Sequence, residues 1–422
     1  MPPLLLLGLV LGIPAPGATR DGQPPGEHLL TQVIARMSDN LKRLPNYTCM
    51  QTIERSRRAS AGLRWETVDR VRVEVALVDG KELFAWPGAG KFEDKDLSDM
   101  VLGGATSTGN FGLLSRAVFL TGAPNFRFAG EKVLDGRRTY RWDYDVPLIR
   151  SGYTLRNGSR EAVVGFHGSF WADAETLDIA RLESSADDIP ARLALIATGD
   201  AVDYGRVRVG AEDFLLPRNS EMRITDFGGE NRNQTVFSNC RQYAGESVLV
   251  FSDAGGDTQI SREPIRVINV PGGLELRLSL KTAIRPDGAV GDPVVARLSS
   301  ALKQSGELIA PKNAEARGRI LYLRESKAGD VSYVIGMEFS EIAYERTVAR
   351  VRCRLQEVLS ASNIVSTTPV LGGAAGLPRG KWLAGEQLNI PGVLFLRRGS
   401  VLAAGLQMVW RTEPNQAEGE KQ

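Results

Sequence analysis

Apolar positions along this chain recur at two different spacings, and the change between them divides it. Leu29, Leu30, Val33, Ile34, Met37 and Leu41 fall at helical spacing, one stripe of an amphipathic helix. The spacing predicts a helix over 26–43. Pro45 ends it, because proline has no N–H to give and clashes with the preceding turn. Beyond Pro45 the period falls to two. Val71, Val73, Val75 and Leu77 alternate with Arg72, Glu74, Ala76 and Val78, as a strand with two unlike faces requires. Asp79-Gly80 then supplies a two-residue hairpin turn, and Leu83-Phe84 opens the return strand. Asp135-Gly136 repeats the device. The strand after it sets Tyr140, Trp142 and Tyr144 on one face and Arg141, Asp143 and Asp145 on the other. Short helices are expected from Asp94 to about Leu102 and from Phe111 to Leu120. Further strands are expected near 161–172, 176–184, 191–199, 203–209, 213–216, 219–226 and 233–243. Many strands joined by short turns predict one large antiparallel sheet behind an amino-terminal helix.

Residues 252–262 are polar and glycine-rich and read as a linker. They separate a first domain, 26–251, from a second and smaller β domain, 263–411. Few contacts are expected to cross such a boundary. In the second domain Val351, Cys353 and Leu355 should face inward, with Arg350, Arg352 and Arg354 outward. Ile335, Met337 and Phe339 form another alternating set. Gly372–Gly380 reads as a loop, a terminal strand pair 393–398 and 401–411 should close the domain, and 412–422 should be a disordered tail.

Composition narrows location more than function. Leu4–Leu7, Leu9, Val10, Leu11 and Ile13 form a short apolar run before Pro14 and small residues, so 1–18 read as an export signal. The run is too short for a membrane-spanning helix, and no later stretch is long enough for one. A periplasmic location is expected. Lys and Arg (52) nearly balance Asp and Glu (50) and are interspersed with them, which argues against nucleic-acid binding. In an oxidising compartment Cys49 and Cys240 should form a disulfide, two buried free thiols being the alternative. Cys353 should pack as a free thiol.

The run Phe170-Trp171-Ala172-Asp173-Ala174-Glu175-Thr176-Leu177-Asp178-Ile179-Ala180-Arg181-Leu182-Glu183 resembles the strand–turn–strand of the LolA/RseB half-barrel superfamily of the bacterial envelope. Leu44-Pro45-Asn46-Tyr47-Thr48-Cys49 is similar to exported envelope proteins. The resemblance covers about 26–250. It implies a sheet curved into a half-barrel whose concave face binds lipid or lipoprotein acyl chains. Gly291–Ala296, Ile309–Ala314 and Arg317–Ile320 more weakly resemble periplasmic β domains of conjugation machinery.

No catalytic constellation emerges. His28 and His167 are the only histidines, and neither has a partner at metal-ligand spacing. Ser300-Ala301-Leu302-Lys303 matches an S-x-x-K motif without the accompanying motifs. Ala85 and Phe92 stand where the phosphate loop suggested by Gly88–Lys91 needs Gly and Ser/Thr. Glu93, Asp94, Asp96 and Asp99 suit a helix start better than calcium. The best ligand-binding candidates are Tyr140, Trp142, Tyr144, Phe166 and Phe170, with ordinary sheet core as the alternative. The resulting expectation is a non-enzymatic envelope protein that binds a lipid, a lipoprotein or other envelope proteins without a cofactor or metal. A structural component with a fully packed core is the alternative.

Overall fold

A computed structural model of the chain describes residues 25–89, 91–92, 95–243, 265–325, 331–359, 364–367, 390–397 and 400–414. Residues 1–18, read as a signal, 252–262, read as a linker, Gly372–Gly380, read as a loop, Glu93, Asp94 and most of 412–422 lie outside these residues. The fold is mainly β, with the expected helix α1 at Pro25–Arg43. Twelve strands follow in the first half: β1 (Tyr47–Arg58), β2 (Glu66–Val78), β3 (Lys81–Ala85), β4 (Asn125–Leu134), β5 (Arg137–Val146), β6 (Tyr153–Asn157), β7 (Arg160–Val164), β8 (Phe166–Asp173), β9 (Ile179–Ala186), β10 (Leu195–Val209), β11 (Glu212–Asp226) and β12 (Gly229–Gln242). Two short helices, α2 (Leu97–Met100) and α3 (Leu113–Phe119), stand between β3 and β4.

Ten of these strands make one antiparallel sheet in the order β3-β2-β1-β12-β11-β10-β9-β8-β5-β4. The order does not close on itself, so the sheet is an open half-barrel with β3 and β4 at its edges. Both expected hairpin turns are present: Asp79, Gly80, Asp135 and Gly136 all have positive φ. The turn after β8 is held by Asp173, whose Oδ1 accepts the N–H groups of Glu175 and Thr176.

Two long strands replace four expected short ones. β10 and β11 run through the predicted breaks, and their register slips between Asp203 and Tyr204, opposite Asn219 and Pro217. Pro217 cannot donate to a ladder, and a bulge is where a sheet tolerates it. The hairpin of β6 and β7 was not foreseen. It inserts between β5 and β8 and pairs with neither.

The second half builds another ten-stranded sheet between Arg266 and Thr412. Ile335, Met337 and Phe339 are buried within its Val331–Tyr344 strand, and Val351, Cys353 and Leu355 are buried as expected. The terminal strands do not pair with each other. Gly392–Arg397 pairs with Val331–Tyr344, whereas Gln407–Thr412 pairs with Glu275–Leu280 and Cys353–Leu359.

Contacts between the halves are more extensive than a linker suggests. β3 pairs with only the last residues of β2, which leaves the Val71 edge open. The segment carrying Val290 fills it: Arg72 N–H donates to the Val290 carbonyl and Val290 N–H to that of Arg70, each at 2.8 Å. Arg72 also pairs with Asp292, and the buried Asp69 is shared by Arg55 and Arg324. One apolar cluster runs from Val71 and Val73 to Val290, Val294 and Ile320. The expectation of few crossing contacts is therefore corrected, because backbone pairing welds the second half to a sheet edge.

Candidate functional site

Alternation gives the first sheet two unlike faces. The outward face carries Arg141, Asp143, His167, Ser169, Glu183, Arg181 and Asp203, largely in ion pairs and hydrogen bonds. The inward face has an apolar and a polar half. In the apolar half, Trp142, Tyr144, Phe166 and Phe170 are buried, and Tyr140 is half-buried at the margin. All five predicted residues thus share one surface. Trp142 lies directly opposite Phe170 on β8, and the rings stack with centroids 5.2 Å apart. Val33, Met37 and Leu41 of α1 and Leu114, Val118 and Phe119 of α3 pack into the same cluster.

Tyr144 shows why glycine stands at 168. The two residues are paired across β5 and β8. The Tyr144 hydroxyl lies 2.7 Å from where a Cβ on Gly168 would sit, and donates to the Glu183 carbonyl at 2.8 Å. A side chain at 168 would occupy that space.

Two devices fasten α1. Asn40 reads the backbone of β11 with both ends of its amide, donating to the Leu215 carbonyl at 3.0 Å and accepting its N–H at 2.8 Å. Arg36 pairs with Asp178 at 2.7 Å.

The polar half holds Gln51, Ser184, Asp200, Ser220, Asn233 and Thr235, all buried. Its roof is the segment 101–112 rather than a long helix. Glu82 accepts the N–H groups of Gly109 at 2.7 Å and Gly112 at 2.8 Å. Asp200 accepts from Asn110 at 2.7 Å and from the Tyr153 hydroxyl at 2.8 Å. Asn233 donates to the Ala105 carbonyl, and Arg55 to that of Gly103. Burial pushes the Glu82 carboxyl above its usual range, against the pull of the backbone N–H groups it accepts. Burial likewise raises Asp200, against its bonds to Asn110 and Tyr153. Burial also drives the Tyr153 hydroxyl upward, with Asp200 adding to the effect. Phe111 is the roof's main apolar anchor, 4.7 Å from the ring of Tyr47 and 5.4 Å from that of Phe237.

Under the roof is a cavity of about 10 Å³ lined by Gln51, Glu82, Asn110, Ser220, Asn233 and Thr235, among others. That is room for about one water molecule. Gln51 Oε1 and Ser184 Oγ are buried without a hydrogen-bond partner, which is unusual for polar atoms inside a protein. A larger hollow of about 510 Å³ lies on the outward face, between Arg127, Arg141, Asp143, Asp145 and His167. Its Asp143 already pairs with both Arg127 and Arg141, so the inward face is the better candidate.

Sequence reasoning missed the polar half. Asp200, Asn110, Glu82 and Tyr153 are far apart in the chain, and only the alternation of Thr198, Asp200 and Val202 hinted at an inward carboxylate. It also missed the bond between His167 Nδ1 and Asp187 Oδ1, 2.5 Å long, which joins two strand ends. The disulfide is present. Cys49 and Cys240 are bonded across β1 and β12 with Cα atoms 4.0 Å apart. Cys353 is a buried free thiol, and burial pushes it up to about 12. Among the described residues, no group of three or more His, Cys, Asp or Glu is placed to hold a metal. No described helix is long and apolar enough to cross a membrane.

No family model matches the chain, and no curated protein does. Among solved structures the chain is similar to a DUF1329 family protein from Desulfovibrio piger, at 13% identity and a TM-score of 0.31, over 53% of this chain and 96% of that one. It is also similar to a putative outer membrane lipoprotein-sorting protein domain from Vibrio parahaemolyticus, at 10% identity and a TM-score of 0.29, over 51% and 93%. The lipoprotein LppX of Mycobacterium tuberculosis matches at 12% identity and a TM-score of 0.19, over 52% and 98%. These likenesses are shallow, and the half-barrel description stands on the strand order and register above.

Proposed function

We propose that the first half is a non-enzymatic binding module for a hydrophobic or lipidated ligand, acting in the bacterial envelope. The observation that carries this reading is the divided inward face. An apolar aromatic floor adjoins a buried polar row with unpartnered acceptors, under a roof held mainly by polar bonds. An amphipathic ligand suits such a surface, its chain over the floor near Tyr140, Trp142, Tyr144, Phe166 and Phe170, its head near Gln51 and Asn233. Because α1 packs on this floor, the reading requires α1 to shift together with the 101–112 roof before the chain can lie there. The Cys49–Cys240 bond fits a periplasmic setting. The second half, 263–411, would contact other envelope proteins.

The close stacking of Trp142 on Phe170 favours a second reading, a structural component whose core admits no ligand. A fluorescent fatty acid titrated into the protein separates the two. The carrier reading expects saturable binding, displaced by unlabelled fatty acid and weakened by Gln51→Leu. Absence of saturable binding, with no lipid retained in native mass spectrometry of protein from its own envelope, leaves the structural reading.

A further inference from the structure

The two ends of the half-barrel differ in what they present to solvent. At one end are the β2–β3, β4–β5, β8–β9 and β10–β11 turns, made of Asp79-Gly80, Asp135-Gly136, Ala174-Glu175-Thr176 and Gly210-Ala211. They are short and polar or small. Val133, two residues before the β4–β5 turn, is exposed at that end, and Leu113 beside β3 is partly so.

The opposite end gathers the β1–β2 and β11–β12 turns, the start of β10 and the segment after β5. There Leu63, Phe227, Ile196, Leu148 and Ile149 are all exposed, Phe227 at 83% and Ile149 at 91%. The strand register makes them neighbours along one rim. The β11–β12 turn meets the β1–β2 turn through Arg57, which donates to the Gly228 carbonyl at 2.9 Å. Leu195 pairs with Asp226, which sets Ile196 beside the Phe227 turn. Large apolar side chains more than half exposed along one rim mark a contact surface.

The charges on the same rim say what kind. Arg57, Arg150, Arg160 and Arg192 bond to backbone carbonyls or an amide oxygen, and among the described residues none has a carboxylate partner. Of the nearby carboxylates, Glu230 pairs with Arg58 and Glu161 with Arg156, Asp187 bonds to His167, Asp226 accepts from the Gly228 N–H and the Asn231 amide, and Asp188 is exposed. Exposed apolar tips interleaved with arginines that lack carboxylate partners match an interface that is apolar within and anionic at its surface. The tips stand on separate turns rather than on one continuous apolar strip.

We propose that this rim docks the protein onto an anionic lipid surface, the tips entering the headgroup layer and the arginines meeting lipid phosphates. The inference is independent of whether the half-barrel holds a ligand.

The test is co-sedimentation of the chain with vesicles of phosphatidylglycerol and phosphatidylcholine, against phosphatidylcholine alone. All variants keep the same amino terminus. Wild type is expected to bind the anionic vesicles and lose binding as salt rises. Phe227→Ser with Ile149→Ser should lower partitioning about tenfold or more, since each removes a large apolar side chain from the layer. Arg57→Gln and Arg150→Gln should each cost about fivefold on anionic vesicles only. Val133→Ser, at the other end and 72% exposed, should leave binding unchanged. These positions are exposed, and circular dichroism checks that each variant folds. The proposal is overturned if wild type does not bind, if the two tips can be removed without loss, or if phosphatidylcholine alone binds equally. It is also overturned if the rim captures a protein partner while vesicles stay unbound.

Discussion

Replacing Trp142 with alanine tests whether the aromatic floor is a packed core. The indole is 1% exposed, stacks on Phe170 with ring planes 13° apart, and meets Phe128 at 5.1 Å. A buried tryptophan hides on the order of 200 Å². At about 25 cal/mol per Å² that is roughly 5 kcal/mol of transfer free energy. The Cβ that alanine keeps and the area already hidden in the unfolded chain lower this figure. The vacated volume beneath α1 raises it, because Asn40 and Arg36 hold the helix and limit its collapse into the space. The expected loss is about 3–5 kcal/mol, within the range for buried aromatic residues cut to alanine. The Trp142 Nε1–H has no partner. Phenylalanine removes that orphan donor and regains part of the ~1–3 kcal/mol such a group costs, so Trp142→Phe should be clearly milder. Equilibrium urea unfolding, followed by near- and far-ultraviolet circular dichroism, measures both variants. A loss below about 1 kcal/mol for alanine, the size of an average substitution, would show that α1 does not press on the floor. A phenylalanine variant as damaged as the alanine one would refute the orphan-donor argument.

Asp69→Ala should destabilise by about 3–5 kcal/mol in the same assay, because it leaves Arg55 buried and unpaired and unlinks Arg324 of the second half. Asp69→Ala no worse than an exposed substitution would refute a buried joint. Cys49→Ser with Cys240→Ser should keep the native spectrum but lower the unfolding free energy, by at most about 5 kcal/mol for a loop this long, with a lower urea midpoint; an unchanged midpoint would exclude any stabilising role for the bond. Glu82 and Asp200 are both raised by burial, so the folded chain holds their protons more tightly than the unfolded one. Their contribution is full below the ordinary carboxylate range and is lost as pH rises through their raised values. The stability of wild type relative to Glu82→Gln should therefore fall as pH rises from that range toward neutrality, and a difference that stays flat or rises with pH counts against the burial effect.

Local signals were the most legible. The helix stripe of Val33, Met37 and Leu41, the paired Asp-Gly turns and the alternation of Tyr140, Trp142 and Tyr144 are all decided within a few residues, and the structure realises each. The disulfide was legible because three cysteines leave few pairings. Pro217 misled, since proline reads as a strand end unless the bulge opposite it is known. The terminal strands misled as well, because adjacency in sequence suggested a hairpin while their partners lay far upstream. The polar row could not be read at all. Glu82, Asn110, Tyr153 and Asp200 meet only after the sheet has curved and the roof has come down, and no spacing in the chain encodes that meeting.

The docking of Val290 onto β2 also sets an order of events during synthesis. β1 needs β12 as its neighbour, so the first sheet cannot complete until the chain has emerged past Gln242. Even then, the free stretch of β2 around Val71 shows unpaired N–H and C=O groups until Val290 arrives. A bare strand edge of this kind is a template for another chain. A product cut short between the two halves would therefore leave that edge exposed. In the whole chain the second half covers that edge, so a stretch of strand that could template pairing with a further copy is closed.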